Sequence, residues 1–229
     1  MSDNPPSDGP SQRADIFQLA CESLLAEVEH MSRSLRLSCP TAEIFQSIKG
    51  TLHVRLPPYG HTVIDTLYER ERAKSFNQNA AEVFPLERRK FTDNLVAVME
   101  PGATARKIRN LIEKAWKWDP AADRRAWEGS ERPFRGRPEV YDRGVVWAFA
   151  DAIARAAGRA HFAIGHHGDE TITKNSNKGG PMFRVLVASI NWAMIAAWLS
   201  ASPPETPAPQ ANPEGILTVF KRGRQQSTD

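Results

Sequence analysis

The chain has 229 residues, 41% hydrophobic and 25% charged, with six Trp and ten Phe. That supply of apolar side chains suffices for a real core and excludes a wholly disordered polypeptide. Thirty Lys plus Arg against 27 Asp plus Glu give a net charge of +3 and a pI near 9.0, which admits an anionic partner without requiring one.

Residues 1–13 are polar and Pro-rich and are expected to form a disordered tail. From Ala14 to Leu35, Phe17, Cys21, Leu24, Val28, Met31 and Leu35 recur at alternating spacings of four and three, which predicts an amphipathic helix. Ile16, Ala20 and Leu25 widen that stripe, so a globular core is expected rather than a coiled-coil seam. Cys39-Pro40 ends the segment. A short helix over 42–49 is expected next, capped by Thr41 and stopped by Gly50. Thr51 to Leu56 alternates apolar with polar and predicts a half-buried strand.

Thr62 and Asp65 have the spacing of a capping box, which starts another helix. Pro85 interrupts it, a further helix runs from Leu86 to Met99, and the Pro101-Gly102 turn leads to a third that reaches about Trp118. This last pair has the outline of a helix-turn-helix unit whose second member is basic, through Arg106, Lys107, Arg109 and Lys114. The connector 119–138 sets Arg124, Arg125, Arg132, Arg135 and Arg137 among Trp127 and Phe134. Interleaved cations and rings of this kind suit phosphates and stacked bases, although the same rings can instead anchor a loop to the core.

A helix from Pro138 or Glu139 to Ala157 follows, with Val146, Phe149, Ile153 and Ala157 inward and Gly158 as its stop. Ala160 to Gly165 is expected as a strand, paired with 52–56 or with Ile216 to Phe220. That strand and the loop after it hold the candidate metal ligands His161, His166, His167 and Asp169, with Glu170 beside them; imidazole and carboxylate donors together suit a divalent metal or acid–base work. No helical His pair repeats the site elsewhere, and His30, His53 or His61 could supply a remote ligand. Lys178, Gly179 and Gly180 precede Pro181 at a helix start and form a candidate anion site, without the spacing of a P-loop.

Val185 to Leu199 is the most apolar run. Asn191 in its middle and its length of about 15 residues point to a buried helix rather than a membrane span, which calls for about 20 residues. Residues 203–213 read as a Pro-rich linker, and 214–229 as a short strand with a basic tail, Lys221 to Arg224.

The expected fold is mainly α (α+β), six or seven helices with a two- or three-stranded antiparallel sheet. It would form one domain over 14–202, with a subdivision near 119–138. Cys21 and Cys39 lie 18 positions apart without CxxC spacing, and no cationic, apolar leader opens the chain, so a cytoplasmic setting is expected. No nucleophile elbow or dinucleotide fingerprint is present, and no catalytic residue is assigned. The leading expectation is a non-catalytic binding protein that contacts nucleic acid without a cofactor or membrane. A His- or metal-dependent enzyme built on 161–170, and a protein-interaction module tethered through 203–229, are the alternatives.

Overall fold

A computed structural model describes residues 9–56, 60–75, 141–165, 179–201 and 207–225. The described residues form six helices and a two-stranded antiparallel sheet. The helices are α1 (Gly9–Ser34), α2 (Thr41–Gly50), α3 (Val63–Ser75), α4 (Arg143–Ala156), α5 (Pro181–Ala201) and α6 (Pro213–Gln225). The mainly helical class expected from periodicity is therefore the class observed.

Helix α5 is the axis of the core. It packs against α1, α3 and α4, while α2 bridges α1 and α4 and α6 lies on α4. Val185, Leu186, Ile190, Trp192, Ala193, Ile195, Ala196, Ala197, Trp198 and Leu199 are all buried, as expected for a helix apolar around most of its circumference. The helix is 21 residues long, because residues 181–184 add a turn before the run that the sequence marks and 200–201 extend it at the other end. Pro181–Leu199 therefore has the length and composition to cross a membrane, contrary to the expectation from the shorter run, and 78% of it is buried among the other helices.

Helix α1 carries its predicted stripe into this core, with Phe17, Leu24, Val28 and Met31 fully enclosed. It begins five residues earlier than expected, at Gly9, so part of the segment expected as a disordered tail is helix. Pro10 falls in the first turn, where its missing N–H costs nothing. Arg13 supplies the anchor: its Nη2 donates to the Trp198 carbonyl at 2.9 Å, and its guanidinium lies 3.9 Å from the centre of the Trp198 ring. A cation thus satisfies a carbonyl at the end of α5, where the helix dipole favours positive charge. The helix ends before Cys39-Pro40, with Arg36 in the left-handed region at φ 51 and Leu37 N–H donating to the Ser32 carbonyl at 2.9 Å. This is a Schellman closure with an arginine where glycine is favoured.

Three strand expectations give way, wholly or in part, to helix or irregular chain. Gly50 stays right-handed, so α2 runs on into a 3₁₀ turn, Thr51–His53, which buries the neighbours Thr51 and Leu52 together. Only Arg55–Leu56 forms a strand, paired with His61–Thr62 in the register Arg55 with Thr62 and Leu56 with His61. Pro40, not Thr41, holds the cap position of α2, without a side-chain bond. Residues 159–165 form no strand. Residues 216–220 lie inside α6, where Ile216 and Phe220, one turn apart, are the buried positions; a period of four suits a helix face and not a pleat.

Caps set two boundaries. Thr62 N–H donates to Asp65 Oδ2, and Asp65 N–H donates to Thr62 Oγ1, each at 3.2 Å, so the predicted capping box is formed. Val145 N–H donates to Asp142 Oδ1 at 3.1 Å, which starts α4 at Arg143 rather than at Pro138 or Glu139. The predicted helices between Leu86 and Trp118, the connector 119–138 and its subdivision lie outside the described residues.

The C-terminal segment is docked rather than tethered. Asn191 Oδ1 accepts from Ala211 N–H at 2.9 Å, and the Tyr141 hydroxyl accepts from Asn212 N–H. A Cβ on Gly215 would sit 2.7 Å from Tyr141 Cε2, so this ring selects glycine. Phe220 stacks on Trp147 at 4.4 Å and 18° and tilts against Phe162 at 5.2 Å.

Two stability changes follow. Arg36→Gly should stabilise the fold by about 1 kcal/mol in urea unfolding, because it removes a left-handed Cβ penalty that exceeds the added freedom of the unfolded chain. Phe220→Ala should cost about 3–5 kcal/mol in the same assay, whereas a free tail would give no change.

Candidate functional site

The sequence directs attention to the junction between α4 and α5. Helix α4 closes on Gly158 at φ +64, with Arg159 N–H donating to the Ala154 carbonyl at 2.9 Å, so the chain turns sharply before Phe162. Phe162 is buried and His161 beside it is exposed. Two residues later the Ile164 carbonyl accepts from Gly180 N–H at 3.0 Å. This bond brings together the ends of the stretch that contains His166, His167, Asp169 and Lys178, which itself lies outside the described residues.

The pair Gly179 and Gly180 has a packing role. A Cβ on Gly180 would stand 3.0 Å from both Gly165 C and Ile164 O, and one on Gly179 would stand 2.5 Å from Phe183 Cδ1. Two backbones cross here at a distance that only glycine permits. Of the candidate anion site, the Gly180 amide donates to the Ile164 carbonyl, and Lys178 lies outside the described residues.

Among the described residues no three His, Cys, Asp or Glu side chains converge as metal ligands. His161 faces solvent on its own loop. The other three imidazoles lie on separate elements: His30 Nε2 is 3.3 Å from Ser34 Oγ, His53 is exposed in the 3₁₀ turn, and His61 Nδ1 is 3.4 Å from Glu69 Oε1. Arg106, Lys107, Arg109, Lys114, Arg124, Arg125, Arg135 and Arg137, the candidate nucleic-acid contacts, all lie outside the described residues.

Neither thiol is prepared for nucleophilic work. Burial pushes the Cys21 thiol up from 9.0 to about 12, opposed by the bond from Trp192, whose Nε1–H donates to Sγ at 3.1 Å. Cys39 donates to Glu43 Oε2 at 3.3 Å, and this bond, together with desolvation and the carboxylate charge, raises its pKa. Both changes disfavour the reactive thiolate.

The positioning groups missed by sequence reasoning are Asn191, Tyr141 and Arg13. Asn191 carried a signal, since an amide within an apolar helix must find a partner. The chain gives no significant match to a protein-family model, a curated protein or a solved structure.

Cys21 makes stability depend on pH. The folded thiol keeps its proton to about pH 12, while the unfolded thiol releases it above its ordinary value of 9.0. Its stabilising contribution is therefore complete below pH 9 and declines by about 1.4 kcal/mol per pH unit above it. Urea titrations at alkaline pH should show a steeper decline for the parent chain than for Cys21→Ala, and equal slopes would contradict the burial of this thiol.

Proposed function

We propose that the protein is a non-catalytic binding protein that contacts nucleic acid through the cationic stretch between α3 and α4, in a cytoplasmic setting. The observation that carries this reading is the distribution of charge. Residues 106–137 contain ten Lys or Arg and five Asp or Glu, a net of +5, whereas the whole chain carries +3, so the remainder sums to −2. A positive segment on an otherwise slightly negative chain favours a local anionic partner over a uniform solubilising surface. Trp116, Trp118, Trp127 and Phe134 are interspersed with these cations, a pairing that serves stacking on bases as well as phosphate neutralisation.

The helical body supports the reading as a scaffold. Its apolar faces are spent on a common core, and its two cysteines are free, in keeping with a reducing compartment. In this reading the body presents the cationic stretch, and the affinity is electrostatic in origin.

Fluorescence anisotropy with a labelled oligonucleotide at about 50 and 200 mM salt tests it, because each phosphate contact contributes about 0.7–0.9 to the slope of log affinity against log salt. The parent chain should bind with a steep slope. Arg124→Gln, Arg125→Gln, Arg135→Gln and Arg137→Gln combined should weaken binding at least about tenfold and flatten that slope. No binding at the lower salt concentration would contradict the proposal.

A further inference from the structure

We infer that the ends of α4 and α6 form a second cationic surface that contacts the phosphate backbone of a nucleic acid. The aromatic contacts of Phe220 create this juxtaposition. By stacking on Trp147 in the first half of α4 and meeting Phe162 beyond its end, Phe220 sets α6 along α4 and beside the loop that follows it, segments some sixty positions apart in sequence.

Every charged side chain described on this edge is basic. Arg155, Arg159 and Lys221 are exposed, as is His161. Residues 152–165 and 215–221 contain Arg155, Arg159 and Lys221 and no Asp or Glu. Asp151, exposed one turn before Arg155, is the carboxylate that borders the surface. The left-handed Gly158 and the Arg159 amide bond to Ala154 fix the backbone that carries Arg159, so the cations stand on an ordered edge. Cations spread along an edge suit a ligand with repeated phosphates better than one with a single phosphate.

A lipid surface carries repeated phosphates too, but docking of α6 removes the apolar face that membrane association needs. Ile216 and Phe220 are turned into the core, and the exposed large apolar residues among those described, Leu19 and Val54, belong to other elements. An interfacial helix requires charge and an accessible apolar face together. The choice of nucleic acid as the anion rests on the proposed function, and the test separates the two claims.

Three preparations are compared with the parent chain: Arg155→Gln, Arg159→Gln and Lys221→Gln combined; the four-arginine connector variant described above; and a control with Arg33→Gln and Arg36→Gln. Oligothymidylate anisotropy over a salt series is read beside thermal unfolding and binding to phosphatidylserine-containing vesicles. The triple variant should keep its melting temperature, lose about tenfold in affinity and flatten the salt slope by about 2, at about 0.7 per single-strand contact. The control should match the parent. An unchanged triple variant beside a weakened connector variant overturns this inference and leaves the proposed function standing. Loss in the triple variant alone supports the inference and overturns the connector as the contact. Equal loss in the control, or binding to vesicles in preference to oligonucleotide, overturns the inference.

Discussion

The fold depends on enclosing one helix that is apolar around most of its circumference. Helix α5 extends for 21 residues, about 30 Å at 1.5 Å per residue, and among its described side chains only the stripe of Arg184, Val187, Ala188 and Asn191 stays part-exposed. Other elements must therefore surround it, and α1, α3 and α4 do so. Leaving such surface in water costs about 25 cal/mol per Å², a penalty that removing any one neighbour would expose. The amphipathic stripes of the surrounding helices complement this requirement.

Enclosure alone would allow sliding, and a few polar contacts fix the register. Trp192 gives its N–H to the Cys21 sulfur and meets the Phe45 ring edge-on at 5.7 Å, which aligns α1 and α2 with the middle of α5. Arg13 fixes the start of α1 at the end of α5. Arg184 meets Glu27 at 2.7 Å, which ties the opposite end of α5 to α1. Ser189 satisfies itself through the Val185 carbonyl at 2.7 Å, so its hydroxyl is buried without a foreign partner. Asn191 directs its amide oxygen outward to Ala211 and thereby holds the returning chain before α6. These polar groups meet specific atoms, since an unmet one would cost about 1–3 kcal/mol; among the described residues Arg13 Nε and Glu27 Oε2 are the buried side-chain atoms left without a hydrogen bond.

Long periodic segments were legible in the sequence because their burial repeats with the helix. Phe17, Cys21, Leu24, Val28 and Met31 declare the inner face of α1, and Val146, Phe149 and Ile153 that of α4. The Thr62–Asp65 box was legible because capping chemistry is local. Short apolar runs were not: Thr51–Leu56 and Ile216–Phe220 fit either period, and their state is decided by distant contacts, Tyr141 and Trp147 in the second case. The Gly179–Gly180 pair was ambiguous for a similar reason, because a tight chain crossing and an anion cradle both demand a missing Cβ. Of the candidate sites, the residue types were legible and the spatial grouping was not. Arg155 and Arg159 precede Lys221 by some sixty positions, and it is the packing of Phe220 on Trp147 and Phe162 that brings their elements together.

Hydrogen exchange of the α5 amides in aqueous buffer tests the central claim most directly. Peptides spanning 185–199 should exchange only through global unfolding, with the slowest rates in the protein and the denaturant dependence of the whole fold. Rapid exchange of these amides, or protection that arises only when detergent is added, would contradict the enclosure of α5 by its neighbours.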